Sequence, residues 1–234
     1  MSFLTRASAS GYLAVREVAA LQRIFQTVDR DSCPTRYNFH MHSVFSDGQL
    51  HPEEILDQVL AIGLEGFAIT DHHSILGYHL ARRLLAAYRD QDPKRPLPKL
   101  WAGVEITAEL LGIEVHILGY GFDGSHGAMQ CYLQSEKAIG NDFTARYVID
   151  AIHAAGGLAI LAHPCRYRKP AEELIPAAAA LGIDGTEAFY AYRKALPWQP
   201  SEIQTELVSR LNAKYNLVSS CGTDTHGRDL LSRV

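Results

Sequence analysis

Residues 66–74 read Gly66-Phe67-Ala68-Ile69-Thr70-Asp71-His72-His73-Ser74, and the fold turns on them. Residues 66–70 have the character of a short, mostly apolar strand. Asp71, His72 and His73 close it. Three consecutive ionisable residues at the end of an apolar strand are costly unless paired or bound to metal. The same arrangement recurs along the chain. Strands are expected at 37–42 with His40 and His42, at 100–107 with Glu105, and at 114–119 with His116. Others are expected at 158–162, ending on His163 where Pro164 stops the strand, at 184–188 with Glu187, and at 217–221 just before Asp224 and His226.

Helices alternate with these seven strands. Pro52 opens one at its first position, with Glu53 and Glu54 in the first turn and Ile55, Val59 and Ile62 on the apolar face. Others are expected at 78–89, 143–155 (ended by Gly156-Gly157), 171–181 and 202–214. The pattern is faint between 121 and 141, where a loop and a helix around 129–138 are expected. Such alternation predicts a mostly parallel sheet with helices outside. An open doubly wound sheet gathers its site at one crevice. A barrel draws site residues from many strand ends. The recurrence of His, Asp and Glu at most strand ends favours an α/β fold of the (β/α)7, TIM-like barrel kind.

Upstream, residues 11–28 predict an amphipathic helix, with Ala14, Val18, Leu21, Phe25 and Val28 on one face. It would cover the bottom of the barrel or serve in a dimer, and the oligomeric state stays open. The division expected is a helical extension over 1–36 and one globular domain over 37–234. A chain of 234 residues suits a single core.

The net charge is −4, without a basic tail or a run of like charges. Proteins that grip long nucleic acids usually show a basic face; here the best local patch is Arg166-Tyr167-Arg168-Lys169. No apolar run is long enough to span a bilayer. The first twenty residues lack a compact apolar core followed by a small-residue cleavage site, so a cytoplasmic location and no membrane partner are expected. Cys33, Cys131, Cys165 and Cys221 form no CxxC pair and no zinc-ribbon spacing, which predicts buried thiols in a reducing compartment.

Histidine carries the chemistry, with 11 residues. His40 and His42, two apart on a strand, send their rings from the same face, and Asp47 follows in a loop. His72 could coordinate while Asp71 orients a ring or a water; His73 would face solvent or substrate. Glu105 could bridge two ions or sit in a salt bridge. His116, His163, Asp224 and His226 extend the set. Nine nitrogen and oxygen donors suit Zn, Mn or Fe better than a thiolate-loving ion, and they exceed the needs of one tetrahedral ion. Two or three divalent ions would account for them. Such ions activate water and screen charge in phosphoryl transfer, so phosphate esters are the natural substrates. Amide or lactone hydrolysis uses similar clusters, although no lysine stands at a strand end near this one to be carboxylated. Arg166 would meet a substrate phosphate or remain a surface arginine, and Glu187 is equally open.

The motifs HMHSVFSDG (40–48), ITDHHS (69–74), GVEIT (103–107), VHILGY (115–120), AHP (162–164) and GTDTH (222–226), in this order, resemble the PHP family, named for polymerase and histidinol phosphatase. The resemblance runs from Tyr37 to His226. It implies a distorted seven-stranded barrel and a trinuclear site. His40 and His42 would hold one ion with Glu105 and Asp224. Glu105 would bridge to a second, held by His116 and His163, and Asp47, His72 and His226 would bind a third. His40, His42, Glu105 and Asp224, with Arg166, form the expected catalytic group; Asp71, His73 and Glu187 would support it or touch substrate. Within the family, GVEIT and VHILGY look most like the small bacterial TrpH-like phosphoesterases. Some relatives are nucleotide phosphatases, or exonucleases acting from the 5′ end, and carry a helical insertion between the motifs of His116 and His163. Here 46 residues separate those histidines, too few for a full insertion domain. His73 also departs from the family, where Asp is common. The substrate expected is a small phosphorylated metabolite or nucleotide. The alternatives are 5′-3′ exonuclease action on short single-stranded oligonucleotides and a metal-stabilised regulatory domain without catalysis.

Overall fold

Two separate sheets carry the strands in the computed structural model, which describes residues 9–193 and 196–232, the side chains of 9–16 excepted. Residues 1–8 of the expected extension and the side chain of Ala14 therefore lie outside the described residues. The first sheet is parallel, in the order β1 (Tyr37–Asn38), β2 (Gly66–Ala68), β3 (Lys99–Trp101). The second runs β4 (Gly103–Leu110), β5 (Ile113–Tyr120), β6 (Leu158–Leu161), β7 (Gly185–Phe189), β8 (Val218–Cys221). Its β4–β5 and β5–β6 pairs are antiparallel, and β6–β7 and β7–β8 are parallel.

The fold is thus α/β as expected, but the closed seven-stranded barrel is corrected: among the described residues eight strands form two sheets and no sheet closes. Two local causes are visible. The 100–107 strand divides at Ala102, whose carbonyl accepts from Gly121 N. The regular pairing of 37–42 stops at Asn38, beyond which only isolated contacts continue. Met41 bridges Thr225 on one flank and His72 bridges Glu105 on the other, so the sheet edges meet at single bridges beside the histidines. The β4–β5 turn is built by Leu111 and Gly112 at φ 55° and 78°, the positive pair that a two-residue hairpin loop requires.

Three apolar clusters fix the layers. Helix α1 (Ala9–Phe25) lays Leu21 and Phe25, with Val28 beyond its end, against Phe39, Trp101 and Tyr120. Phe25 meets Phe39 and Tyr120 edge-on at centroid distances of 5.0 and 5.4 Å, a favoured aromatic geometry. The described apolar face of this helix is therefore spent inside the chain. Helices α2 (Pro52–Ile62) and α3 (Leu76–Gln91) cover Met41, Phe67 and Ile69. Helices α4 (Ala145–Ala154), α5 (Ala171–Ala180) and α6 (Glu202–Tyr215) cover the second sheet. Burying each of these large side chains stabilises the fold by about 1.5–3 kcal/mol.

The helix expected over 129–138 is corrected to two short 3-10 turns, Gly127–Tyr132 and Gly140–Phe143. Met129 and Tyr132, three apart and buried, anchor the first, a spacing that eclipses side chains in 3-10 geometry. The thiols are also corrected: Cys33 and Cys221 are buried, but Cys165 is half-buried and Cys131 exposed, and all four are free. No described helix is long and apolar enough to cross a membrane.

Candidate metal centre

The floor of the site forms where β1 runs out beside the chain that leaves β8. Gly222 makes the approach possible: a Cβ there would lie 2.2 Å from His40 Cβ. Asp224 N donates to His40 O (2.8 Å) and His42 N to Thr225 O (3.0 Å). These bonds set the carboxylate of Asp224 below both rings. Glu105, the third residue of β4, approaches from the other sheet. His40 Nε2 lies 3.0 Å from Glu105 Oε2 and 3.3 Å from Asp224 Oδ1, and His42 Nε2 lies 3.1 and 3.3 Å from the same two oxygens. The other oxygen of Glu105 faces His116 Nδ1 at 2.7 Å and His163 Nε2 at 3.3 Å.

The mouth is more open. Asp47 Oδ2 lies 3.2 Å from His226 Nε2 and 3.8 Å from His72 Nε2, and Asp47 Oδ1 lies 3.5 Å from His42 Nδ1. Asp47 is 55% exposed, whereas Glu105 is 1%. Three donor groups result, each with ligand atoms within 4.8 Å of one another: His40, His42, Glu105 and Asp224; His72, Glu105 and His116; and His42, Asp47, His72 and His226. His163 joins through Glu105.

The donor chemistry fits cations. Glu187 Oε1 sits 3.0 Å from His40 Nδ1. An ionised carboxylate only accepts, so Nδ1 carries a proton and Nε2 turns its remaining valence toward Glu105 and Asp224. His42 Nε2 is buried and makes no hydrogen bond despite two carboxylate oxygens within 3.3 Å. Two rings and two carboxylates thus surround a position for positive charge. Burial alone would lower the pKa of His40. The charges of Glu187, Glu105 and Asp224 overturn that and hold it well above the ordinary 6.5. Likewise burial disfavours His42, but Asp224 and Glu105 raise it to about 9. The same field that retains protons there would hold a dication. Burial opposes the ionised forms of Glu105 and Asp224, yet the surrounding histidines keep both well below the carboxylate range. His72, pushed down to about 4 chiefly by burial, and His163, lowered for the same reason, offer neutral rings with lone pairs. His73, His163 and Asp224 have φ of 53°, 29° and 54°, backbone strain of the kind that concentrates at functional sites.

The remaining predicted residues hold the frame. Asp71 accepts from Ser43 N (2.6 Å), Ser43 Oγ (2.7 Å) and Ser46 Oγ (3.0 Å), which shapes the loop carrying Asp47. Glu187, fully buried, accepts from His163 N at 3.0 Å besides facing His40. The solvent-facing reading of His73 is corrected: it is 5% exposed and its Nε2 accepts from Thr107 N at 3.3 Å. Arg166 is tied to the cluster, its Nη1 donating to Asp224 Oδ2 at 2.9 Å and to Tyr190 OH at 3.0 Å. In the sequence Tyr167 had no role beyond its place in the basic patch, and Tyr190 none at all. Tyr167 OH accepts from His116 N (2.8 Å), and Tyr190 OH donates to Asp224 Oδ2 (2.6 Å). Their signal was position alone, just after strands whose ends carry His163 and Glu187.

An α/β scaffold that converges six histidines and three carboxylates on one rim defines a metal-dependent hydrolase. The PHP domain family model matches residues 38–180. The chain therefore belongs to the PHP family and is a metal-dependent phosphoesterase. It is 28% identical to a 5′-3′ exoribonuclease of Haemophilus influenzae over 82% of this chain and 90% of that protein. It is 35% identical to a 3′,5′-nucleoside bisphosphate phosphatase of Chromobacterium violaceum over 51% of this chain and 39% of the other. The fold resembles that of a Chromobacterium violaceum amidohydrolase solved with bound sulfate, at TM-score 0.66 and 21% identity over 84% of this chain and 90% of that one. It also resembles a Bifidobacterium adolescentis protein described as a metal-dependent phosphoesterase, at TM-score 0.64 and 21% identity over 83% and 89%.

Proposed function

We propose that this chain hydrolyses the phosphate ester of a nucleotide-sized substrate at a centre of two or three ions of Mn, Zn or Fe. His40, His42, Glu105 and Asp224 would hold the first ion, Glu105, His116 and His163 the second, and Asp47, His72 and His226 the third. The carrying observation is the gradient of the cluster, with fully buried carboxylates at its floor and a mouth where Asp47, His72, His226 and Arg166 are partly exposed. When bound, such ions make water a nucleophile at neutral pH and screen charge on the phosphoryl oxygens. The chain's own contributions follow from its geometry. Glu187 fixes the tautomer and direction of His40. Asp71 holds the Asp47 loop in place. Arg166, at the mouth, would pair with a phosphate oxygen.

Two features favour a small substrate. The alignment with the Haemophilus influenzae exoribonuclease spans 261 positions but uses 82% of 234 residues, so that relative carries stretches with no counterpart here. A net charge of −4 adds no long-range attraction for a polyanion. The second reading, 5′-3′ exonuclease action on short single strands, is favoured by the 90% coverage of that same relative. In this proposal residues 37–234 form the catalytic domain and 1–36 an extension, of which Leu21, Phe25 and Val28 pack on its core, and four free thiols fit a cytoplasmic setting.

The test strips the metals, restores Mn or Zn, and compares kcat/KM for nucleoside mono- and bisphosphates with a 5′-phosphorylated oligomer of about five nucleotides at two salt concentrations. The mononucleotides are expected to be the better substrates, with little salt dependence. A strong preference for the oligomer that weakens with salt would overturn the small-substrate reading in favour of the exonuclease.

A further inference from the structure

Tyr190 sits immediately after β7, fully buried. Its ring lies 5.3 Å from that of His163 and 4.8 Å, edge-on, from that of Tyr192. Its carbonyl accepts from Ser201 N at 3.0 Å. Packing and backbone together therefore fix where the hydroxyl points, and it points at one oxygen. Asp224 Oδ2 receives Tyr190 OH at 2.6 Å and Arg166 Nη1 at 2.9 Å. Asp224 Oδ1 faces the histidines instead, 3.3 Å from His40 Nε2, 3.3 Å from His42 Nε2 and 3.6 Å from His226 Nδ1.

We infer that Tyr190 is a positioning residue for Asp224: by holding Oδ2 it makes the carboxylate present Oδ1 alone to the metal position. This rests on the reading of Asp224 as a metal ligand. A carboxylate with both oxygens uncommitted can rotate, or chelate one ion through both. Asp224 has particular need of a stay, because its backbone is held at φ 54° and sets no regular strand direction for the side chain. These two described partners of Oδ2 are not equivalent. Arg166 is 40% exposed and reaches the mouth, whereas Tyr190 is enclosed. Tyr190 is the standing partner, and Arg166 is able to turn to an arriving phosphate while Asp224 keeps its direction.

Tyr190→Phe removes the hydroxyl and keeps the ring on His163 and Tyr192. Metal affinity is read by competition with a chromophoric chelator, and kcat and KM are measured separately. A folded Y190F is expected to hold metal about 10-fold or more weakly, the usual cost of removing a group that orients a ligand, with kcat reduced and KM little changed. Affinity within about twofold of the parent in a folded Y190F would overturn the inference, leaving the ring with a packing role only. Arg166→Ala decides the matter independently, including where Y190F does not accumulate. It leaves the Tyr190 hydroxyl in place, so metal affinity should stay within about threefold; a loss of tenfold or more would move the orienting role to the arginine. Asp224→Asn separates the inference from the reading beneath it. Unchanged metal content in D224N rejects Asp224 as a ligand, whereas loss in D224N without loss in Y190F rejects only the part given to Tyr190.

Discussion

Asp184, just before β7, and Glu187, the third residue of that strand, make the same pair of contacts. Asp184 Oδ2 lies 2.8 Å from His153 Nε2 and accepts from Ala159 N at 2.7 Å. Glu187 lies 3.0 Å from His40 Nδ1 and accepts from His163 N at 3.0 Å. Each carboxylate thus joins one imidazole to one amide on or just beyond β6. What differs is what lies behind the ring. His153, on the last turn of α4, is 36% exposed. The far nitrogen of His40 faces Glu105 and Asp224 in a fully buried cluster. A histidine-carboxylate pair therefore says little by itself about function. The second nitrogen decides whether the pair ties two elements together or aims a ligand.

The contrast breaks most severely at Glu105, which every proposed ion but the outermost shares. Glu105→Gln is expected to lower kcat/KM by about 10³-fold or more, about 4 kcal/mol of lost transition-state stabilisation, with metal content falling in parallel. Full metal occupancy in E105Q would remove the cluster from the chemistry. Glu187→Gln should come next. It keeps an acceptor for His163 N but weakens the hold on His40, so metal affinity should fall about 10- to 100-fold and excess metal should restore part of kcat. If E187Q binds metal as the parent does, Glu187 belongs with Asp184 as a structural tie.

Much of this arrangement was legible in the chain because ionisable residues at the ends of apolar strands are conspicuous. His40 and His42 share a face by the two-residue period of a strand, and the fold gathers all nine named donors, eight in the three donor groups and His163 beside Glu105. Glu187 was named only as supporting the cluster or touching substrate, since a single carboxylate in an apolar strand has no spacing that separates a ligand-holder from a salt bridge. Tyr190 was missed because Phe-Tyr-Ala-Tyr after a strand reads as core. Sheet closure was beyond periodicity for a different reason. Alternation tells which segments are strands, but the break at Ala102 and the antiparallel pairing of β5 with β6 depend on partners distant in sequence.

At Asp184, just before β7, the expected effects are on stability. Asp184→Ala leaves the amide of buried Ala159 without its acceptor and releases His153. A cost of about 1–2 kcal/mol is expected for a lost acceptor of this kind, which for a chain of this size lowers Tm by about 2–8 °C. Activity at saturating metal and the apparent metal affinity should stay at the parent level. A D184A protein that loses metal would show that the two carboxylates are coupled, and the distinction drawn between them would fail.

The finest test is the pH response of that outer tie. The hydrogen bond to Asp184 is the leading influence on His153 and raises its pKa above the ordinary 6.5 against the pull of partial burial. The negative end of α4 favours the same charged form. Because the folded value exceeds the unfolded one, the native state holds more protons between the two. The stabilisation is complete below about pH 6.5 and is lost as pH rises through the folded value. His153 is more than a third exposed, so solvent screening keeps the effect below about 1 kcal/mol. His153→Gln removes the titrating ring. The Tm gap between parent and H153Q should be larger near pH 6 than near pH 8.5 by about 1–2 °C. Chelator should leave that difference unchanged, because no ion is proposed at this end of the strand. A gap that is flat across this range, or wider at the alkaline end, would mean that the ring is held in its neutral form. A gap that disappears when metal is stripped would tie His153 to the cluster, and the two histidine-carboxylate pairs would then differ in exposure alone.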